Sequence, residues 1–204
     1  MNLPGNLQSN RLITFWKLNP EFISLNEHDK LILIKYHTFP LIFIRSALLY
    51  DPVTDSYHDQ GTDDCVFDNK DLIRCMSLHQ YQQTTRCICQ VQIAAQNDSI
   101  IVQLLLLINL FSKGSSICTF CNEAEPIAHN IVSILHRQNF FVDLLWKYLE
   151  DKYGSTKTID IWLKLVLVTN ESYLQAYNTR SNYIENDPVA DQLVPLMQSV
   201  ILNV

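Results

Sequence analysis

Apolar positions along the chain recur at helical rather than strand spacing. Leu12, Phe15 and Trp16 stand at i, i+3 and i+4, the stripe of a helix with one buried face, and Pro20 ends it. In the next segment, Asp29 to Tyr50, the residues Leu31, Ile32, Leu33, Ile34, Phe39, Leu41, Ile42, Phe43, Ile44, Leu48 and Leu49 cover every side of a helix. A helix apolar all round is surrounded by protein, so this segment is expected to be the middle layer of a helical stack. Pro40 is expected to kink it or to split it into two consecutive helices. From Asp51 to Asp71 the pattern collapses into an acid-rich stretch punctuated by Pro52 and Gly61, which reads as a loop with room for a small β-hairpin. Helical periodicity returns over Leu72–Gln90, over Ser99–Ser112 and over Pro126–Tyr153, where Ile127, Ile131, Ile134 and Leu135 keep one phase. Lys157–Tyr177 reads as another long helix. A polar break at Asn182–Asp191 containing Pro188 then precedes a short amphipathic piece, Leu193–Val204. Neither an internal repeat nor a low-complexity tract interrupts this order.

Composition narrows the fold. A chain of 204 residues holds one domain with a substantial core, spanning 1–204. Apolar residues make up 48% and charged residues 18%, which excludes a disordered chain. Only 4 glycines are present, too few for the turns of a sheet-rich fold, so the expectation is all-α. The net charge of -6 leaves no surface built to neutralise phosphates, and nucleic-acid contact by this chain is not expected. The six cysteines (Cys65, Cys75, Cys87, Cys89, Cys118, Cys121) sit in a large, core-rich chain whose Met1 end carries no signal peptide, and they read as reduced thiols of a cytosolic or nuclear protein. The longest apolar run, Ser99–Ser112, falls short of the roughly 20 residues that span a bilayer, so no membrane segment is expected.

Candidate chemistry is sparse. The seven Asp between 51 and 71 lack the closing Glu and the ordered alternation of a calcium loop, and read as a solvated surface. Cys118-x-x-Cys121 is a single pair, whereas a structural zinc site uses four ligands. His129 and His136 lie seven apart with no third ligand or catalytic acid beside them in sequence, the pattern of ordinary helix-surface histidines. With no glycine-rich phosphate loop, nucleophile elbow or paired-carboxylate motif, the sequence points to no enzyme, metal or cofactor.

What stands out is one block: Phe15-Trp16-Lys17, then Pro20-Glu21-Phe22, then Asp29-Lys30-Leu31-Ile32-Leu33-Ile34-Lys35. It resembles the signature of nuclear receptor ligand-binding domains. Ile44-Arg45-Ser46-Ala47-Leu48-Leu49-Tyr50-Asp51 with Thr54-Asp55-Ser56 is similar to the fifth helix and its exit in the ecdysone, liver X and vitamin D receptor group. Leu104–Ser112 followed by Glu125-Pro126-Ile127 is similar to the eighth and ninth helices, Trp162–Thr169 to the dimer-forming tenth, and Pro195–Val200 to the mobile activation helix.

The resemblance implies a three-layer antiparallel helical sandwich in the nucleus that binds a lipophilic small molecule and regulates transcription. It implies a coregulator groove built from Lys17, Leu31, Ile34, Lys35, Leu196 and Ser199, which would receive an amphipathic Leu-x-x-Leu-Leu helix of a coactivator, or a corepressor helix. Lys17 and Lys35 suit such a groove because ammonium groups satisfy the carbonyls at the C-terminus of a docked helix, with Leu31 and Ile34 as an apolar floor. In the ligand role the resemblance singles out Arg45, with Asn178 as a second polar group. Arg45 lies ten residues beyond Lys35, about 280° further round an ideal helix, so the two charges face different ways. Pairing of Arg45 with an acidic residue between layers is the alternative. Dimerisation is expected through Lys157–Tyr177, with a retinoid X receptor-like partner or a second copy.

The departures from the pattern bear on activity. Ser199 stands where the family carries Glu, which implies a weakened activation helix. Lys113-Gly114 replaces an Asp-Arg pair, the first helix of the family is missing ahead of Phe15, and no zinc-bearing DNA-binding module is present. The competing expectation is a ligand-independent helical dimerisation module acting as a silent or repressive partner.

Overall fold

The structure is a computed structural model that describes residues 4–58, 67–73, 76–112, 128–185 and 195–202. Helices dominate: α1 (Pro4–Lys17), α2 (Pro20–Ile23), α3 (Glu27–Ser46), α4 (Asn69–Ile73), α5 (Leu78–Ala94), α6 (Ser99–Leu110), α7 (Ile131–Tyr153), α8 (Ser155–Glu185) and α9 (Pro195–Leu202). Three two-residue strands, β1 (Tyr50–Asp51), β2 (Ser56–Tyr57) and β3 (Phe67–Asp68), form an antiparallel sheet in that order. The expected hairpin therefore carries a third strand. Its register pairs Tyr50 with Tyr57 and Tyr57 with Phe67, which lines three aromatic rings along one face at centroid separations of 4.9 and 4.6 Å.

α3 is the hub. It packs against α1, α5, α6, α8 and α9, while α6 also packs on α7, and α8 on both α5 and α7. Its second half, from His37 to Ser46, is buried except for Ile42. The imidazole of His37 is enclosed there, and burial pushes it down to about 4, so it is neutral at physiological pH. The first turns differ from expectation, because Leu31 is 65% exposed. The segment is therefore enclosed in its C-terminal half and open on one face near its start. α3 is also a single uninterrupted helix, and Pro40 does not split it. Proline removes one hydrogen bond of the ladder, but Phe39, Pro40 and Leu41 are all buried, and the packing of the surrounding helices outweighs that loss.

Local sequence explains the helix starts. Asn19 accepts hydrogen bonds from the N–H groups of Glu21 and Phe22, and Pro20 occupies the first position of α2, where its missing N–H costs nothing. Asn26 caps α3 through Asp29 N–H, and Asp98 caps α6 through Ile100 N–H. Ser77 and Gln80 form a reciprocal capping box, so α5 begins at Leu78 and not at Leu72, which belongs to the separate short α4. Nine of the twelve residues of α6 are buried, all of them between Ile101 and Leu110. The run is a core helix, and no single helix among the described residues is long and apolar enough to cross a membrane. α7 begins at Ile131 and α8 extends well past Tyr177. Cys87 and Cys89 are free thiols. Cys65, Cys75, Cys118, Cys121, Lys113-Gly114 and Pro126-Ile127 lie outside the described residues.

Candidate functional site

The corner made by α1, α2 and α3 is fixed from below by α7. Asp29 is fully buried and accepts hydrogen bonds from the backbone N–H groups of His129 (2.7 Å) and Asn130 (3.2 Å) and from Asn26 Nδ2 (2.8 Å). Burial alone would raise its carboxyl, but these three donors together hold it below the ordinary carboxylate value. The anion also sits at the start of α7, where helix N–H groups lack partners. About two helical turns further along, Arg137 Nε on α7 donates to the Glu21 carbonyl (2.8 Å), Nη2 donates to Ser24 Oγ (2.9 Å), and the guanidinium lies 3.4 Å from the Glu21 carboxylate. Two charged side chains thus lock α2 and α3 onto one end of α7.

Above this base lie the residues singled out for a coregulator groove. Lys17, the last residue of α1, is exposed, as is Leu31, while Ile34 and Lys35 are half-buried on α3. The Lys35 ammonium sits 5.8 Å from the ring centroid of Tyr36. α9 packs on α3, α1 and α8. Met197 and Val200 are its buried face, and a Cβ at Gly5 would lie 3.7 Å from Met197 Cε, which puts α9 beside the first turn of α1. Gly5 and Lys17 are twelve residues apart on α1, about 18 Å along a helix. Ser199 is half-buried, and the side chain of Leu196 lies outside the described residues. α1 and α9 thus both pack on α3, with α9 beside the first turn of α1 and Lys17 at the other end of that helix.

Arg45 is buried in the second half of α3, and its Nη1 donates to Gln8 Oε1, which is itself buried on α1. The guanidinium therefore ties the two helices. Asn178 is exposed on α8, next to the buried Thr179 and Arg180.

Two larger clefts among the described residues lie elsewhere. One, of about 560 Å³, opens between the α3–β1 turn and the α5–α6 turn, and includes Leu48, Tyr50, His58, Gln92 and Asp98. Gln92 Nε2 shapes it by donating to the carbonyls of Ala47 (3.1 Å) and Tyr50 (2.7 Å). The other, of about 540 Å³, lies between the sheet and α5 around Asp55. Asp55 accepts from Tyr50 Oη (2.9 Å), from Asn69 Nδ2 (2.6 Å) and from Tyr81 Oη. Burial would raise its carboxyl, and these donors bring it below the usual range; burial and the carboxylate push the Tyr81 phenol up to about 12. Sequence reasoning missed both Asp29 and Asp55 as organising centres. Asp55 carried one local signal, its place in a turn, where it adopts a positive φ of 51°.

On the far side, α8 exposes Ile159, Leu163, Val166, Leu167 and Leu174. Their spacing of i, i+4, i+7, i+8 and i+15 places all five within an arc of about 100°. Neighbouring α7 exposes Phe140 and Leu144. Neither the protein-family models nor the curated proteins contain a match to this chain.

Proposed function

We propose that this chain is a nuclear receptor-like ligand-binding domain: a three-layer helical sandwich that acts in the nucleus, responds to a lipophilic small molecule, dimerises, and offers coregulators a groove between α1, α3 and α9. The observation that carries this reading is the seating of a short C-terminal amphipathic helix across α1, α3 and α8, with Lys17 about 18 Å along α1 from that contact. A two- to three-turn peptide helix is about 11 to 16 Å long and fits that span. Lys17 would meet its C-terminal carbonyls, and Leu31 and Ile34 would meet its apolar face. α9 then works as a switch by population shift: whatever favours its docked position favours the groove.

The apolar stripe on α8 supports dimerisation, since a contiguous exposed patch on one helix face marks an interaction surface. It also favours the second reading, a dimerising module that needs no ligand, because Arg45 is engaged by Gln8 across α1 and α3. Native mass spectrometry of the chain expressed in cells separates the two. A dimer carrying an added lipophilic mass is the result expected of the receptor-like reading, and a dimer without one supports the ligand-independent module. Charge on the stripe, as in Leu163→Glu with Leu167→Glu, is expected to leave the fold intact and shift the dimer to monomer by at least tenfold in dissociation constant. A parent chain that is monomeric and empty would contradict both readings.

A further inference from the structure

At the corner where the N-termini of α3 and α7 meet, one imidazole nitrogen of His28, one carboxylate oxygen of Asp29 and one imidazole nitrogen of His129 all lie within 4.8 Å of one another. The two imidazole rings are stacked, with centroids 3.9 Å apart and planes inclined by 16°. Among the described residues this is the one such group of His, Cys, Asp and Glu. We propose that it is a binding site for a divalent transition metal of the zinc class, with two imidazoles and one carboxylate as ligands and the remaining coordination position open to water.

The donor set selects the metal. Neutral imidazole nitrogens suit zinc, cobalt, nickel and copper, whereas calcium and magnesium require a shell made mostly of oxygens. Asp29 is held in advance of any ion. Its three donors (Asn26 Nδ2 and the N–H groups of His129 and Asn130) occupy three of the roughly four acceptor positions of a carboxylate and leave one for a metal. These contacts are the outer-shell support that ligating carboxylates ordinarily carry. The histidines are the adjustable part. Both are exposed, and tetrahedral coordination at about 2.1 Å sets ligand atoms about 3.4 Å apart, so the imidazoles are the ligands that must turn to draw the three atoms in from within 4.8 Å.

Two features set the strength. Asp29 is the one charged ligand, and the positive ends of two helices face the site, so binding should be weaker than at a four-ligand structural centre. The consequence is mechanical as much as chemical. An ion here joins residues 28 and 29 to residue 129, adding a clamp between α3 and α7 to the one Asp29 already makes. Because folding creates the site, metal adds to stability by mass action.

The test uses the full 204-residue chain, stripped with a chelator and titrated with zinc by calorimetry and thermal melting, with magnesium as control. One bound equivalent is expected, with a rise in melting midpoint on the order of 5 °C when zinc exceeds its dissociation constant about 100-fold. Magnesium should do nothing. His28→Ala and His129→Ala should each weaken that equivalent by about 100-fold while melting like the parent without metal, since both side chains are exposed. His136→Ala should bind as the parent does. Cobalt in place of zinc should show no thiolate-to-metal charge-transfer band. Equal zinc binding by the parent and both histidine variants, a thiolate band, or no binding at millimolar zinc would overturn the proposal.

Discussion

Replacement of Trp16 by Ala is expected to cost about 3 to 5 kcal/mol of unfolding free energy, read from urea denaturation at constant slope. Trp16 is fully buried on α1 and its ring lies 6.3 Å from that of Phe22 on α2, so truncation opens a cavity at the joint between those helices. The companion Trp16→Phe should cost less than about 1.5 kcal/mol. The reason is specific. Among the described residues the buried Trp16 Nε1 has no hydrogen-bond partner, so Phe removes a polar group that none of them satisfies and keeps most of the ring volume. Equal damage from Ala and Phe would mean that the indole N–H holds something the packing alone does not.

Asp29→Ala, measured in the presence of chelator, is expected to destabilise the chain by about 3 kcal/mol. The carboxylate accepts three hydrogen bonds from a fully buried position, and without it the N–H groups that open α7 lose their anion. Asp29→Asn should fall between, because one acceptor oxygen survives without the charge. Amide exchange offers a second view: protection in the first turn of α7, around Ile131–Leu135, should drop more than protection in α6, since the lost link is local to that corner. Glu27→Ala, two residues away and exposed in a pair with Lys30, should stay within about 0.5 kcal/mol of the parent. A small effect at Asp29 would mean that α3 and α7 are held together chiefly by apolar packing.

These two sites also mark what the sequence made legible. Trp16 is readable as core from helical periodicity, and Leu41, Ile44 and Leu106 from segments apolar on every side, because both signals lie within a few residues of chain. The same local character made α6 and α9 readable, and the Ser77–Gln80 box carries the start of α5 in four residues, although apolar phase pulled the expected start back to Leu72. Of the two expectations for Pro40, a kink or a split, the split does not occur, because its cost is local while the packing that outweighs it is tertiary. The His28, Asp29 and His129 corner was not legible at all. His129 is a hundred residues from the adjacent His28 and Asp29, and its nearest histidine in sequence is His136. The Arg45 and Gln8 contact failed for the same reason: nothing in the chain near residue 45 points to residue 8. For the proposed groove, the sequence offers residue types and order, and the fold adds that α1 and α9 both pack on α3.

The measurement that bears most directly on the groove is a titration of a labelled Leu-x-x-Leu-Leu peptide against the parent chain, Ser199→Glu, and Ser199→Glu combined with Lys17→Glu. Ser199 is half-buried on α9, and a carboxylate there would meet the free N–H groups at the start of the peptide helix. A charge-assisted hydrogen bond contributes about 1.5 to 3 kcal/mol, so Ser199→Glu should bind about tenfold more tightly than the parent, and the added Lys17→Glu should erase the gain. Identical affinity for the parent and Ser199→Glu, or tight binding that survives Lys17→Glu, would contradict a groove bounded by α1, α3 and α9.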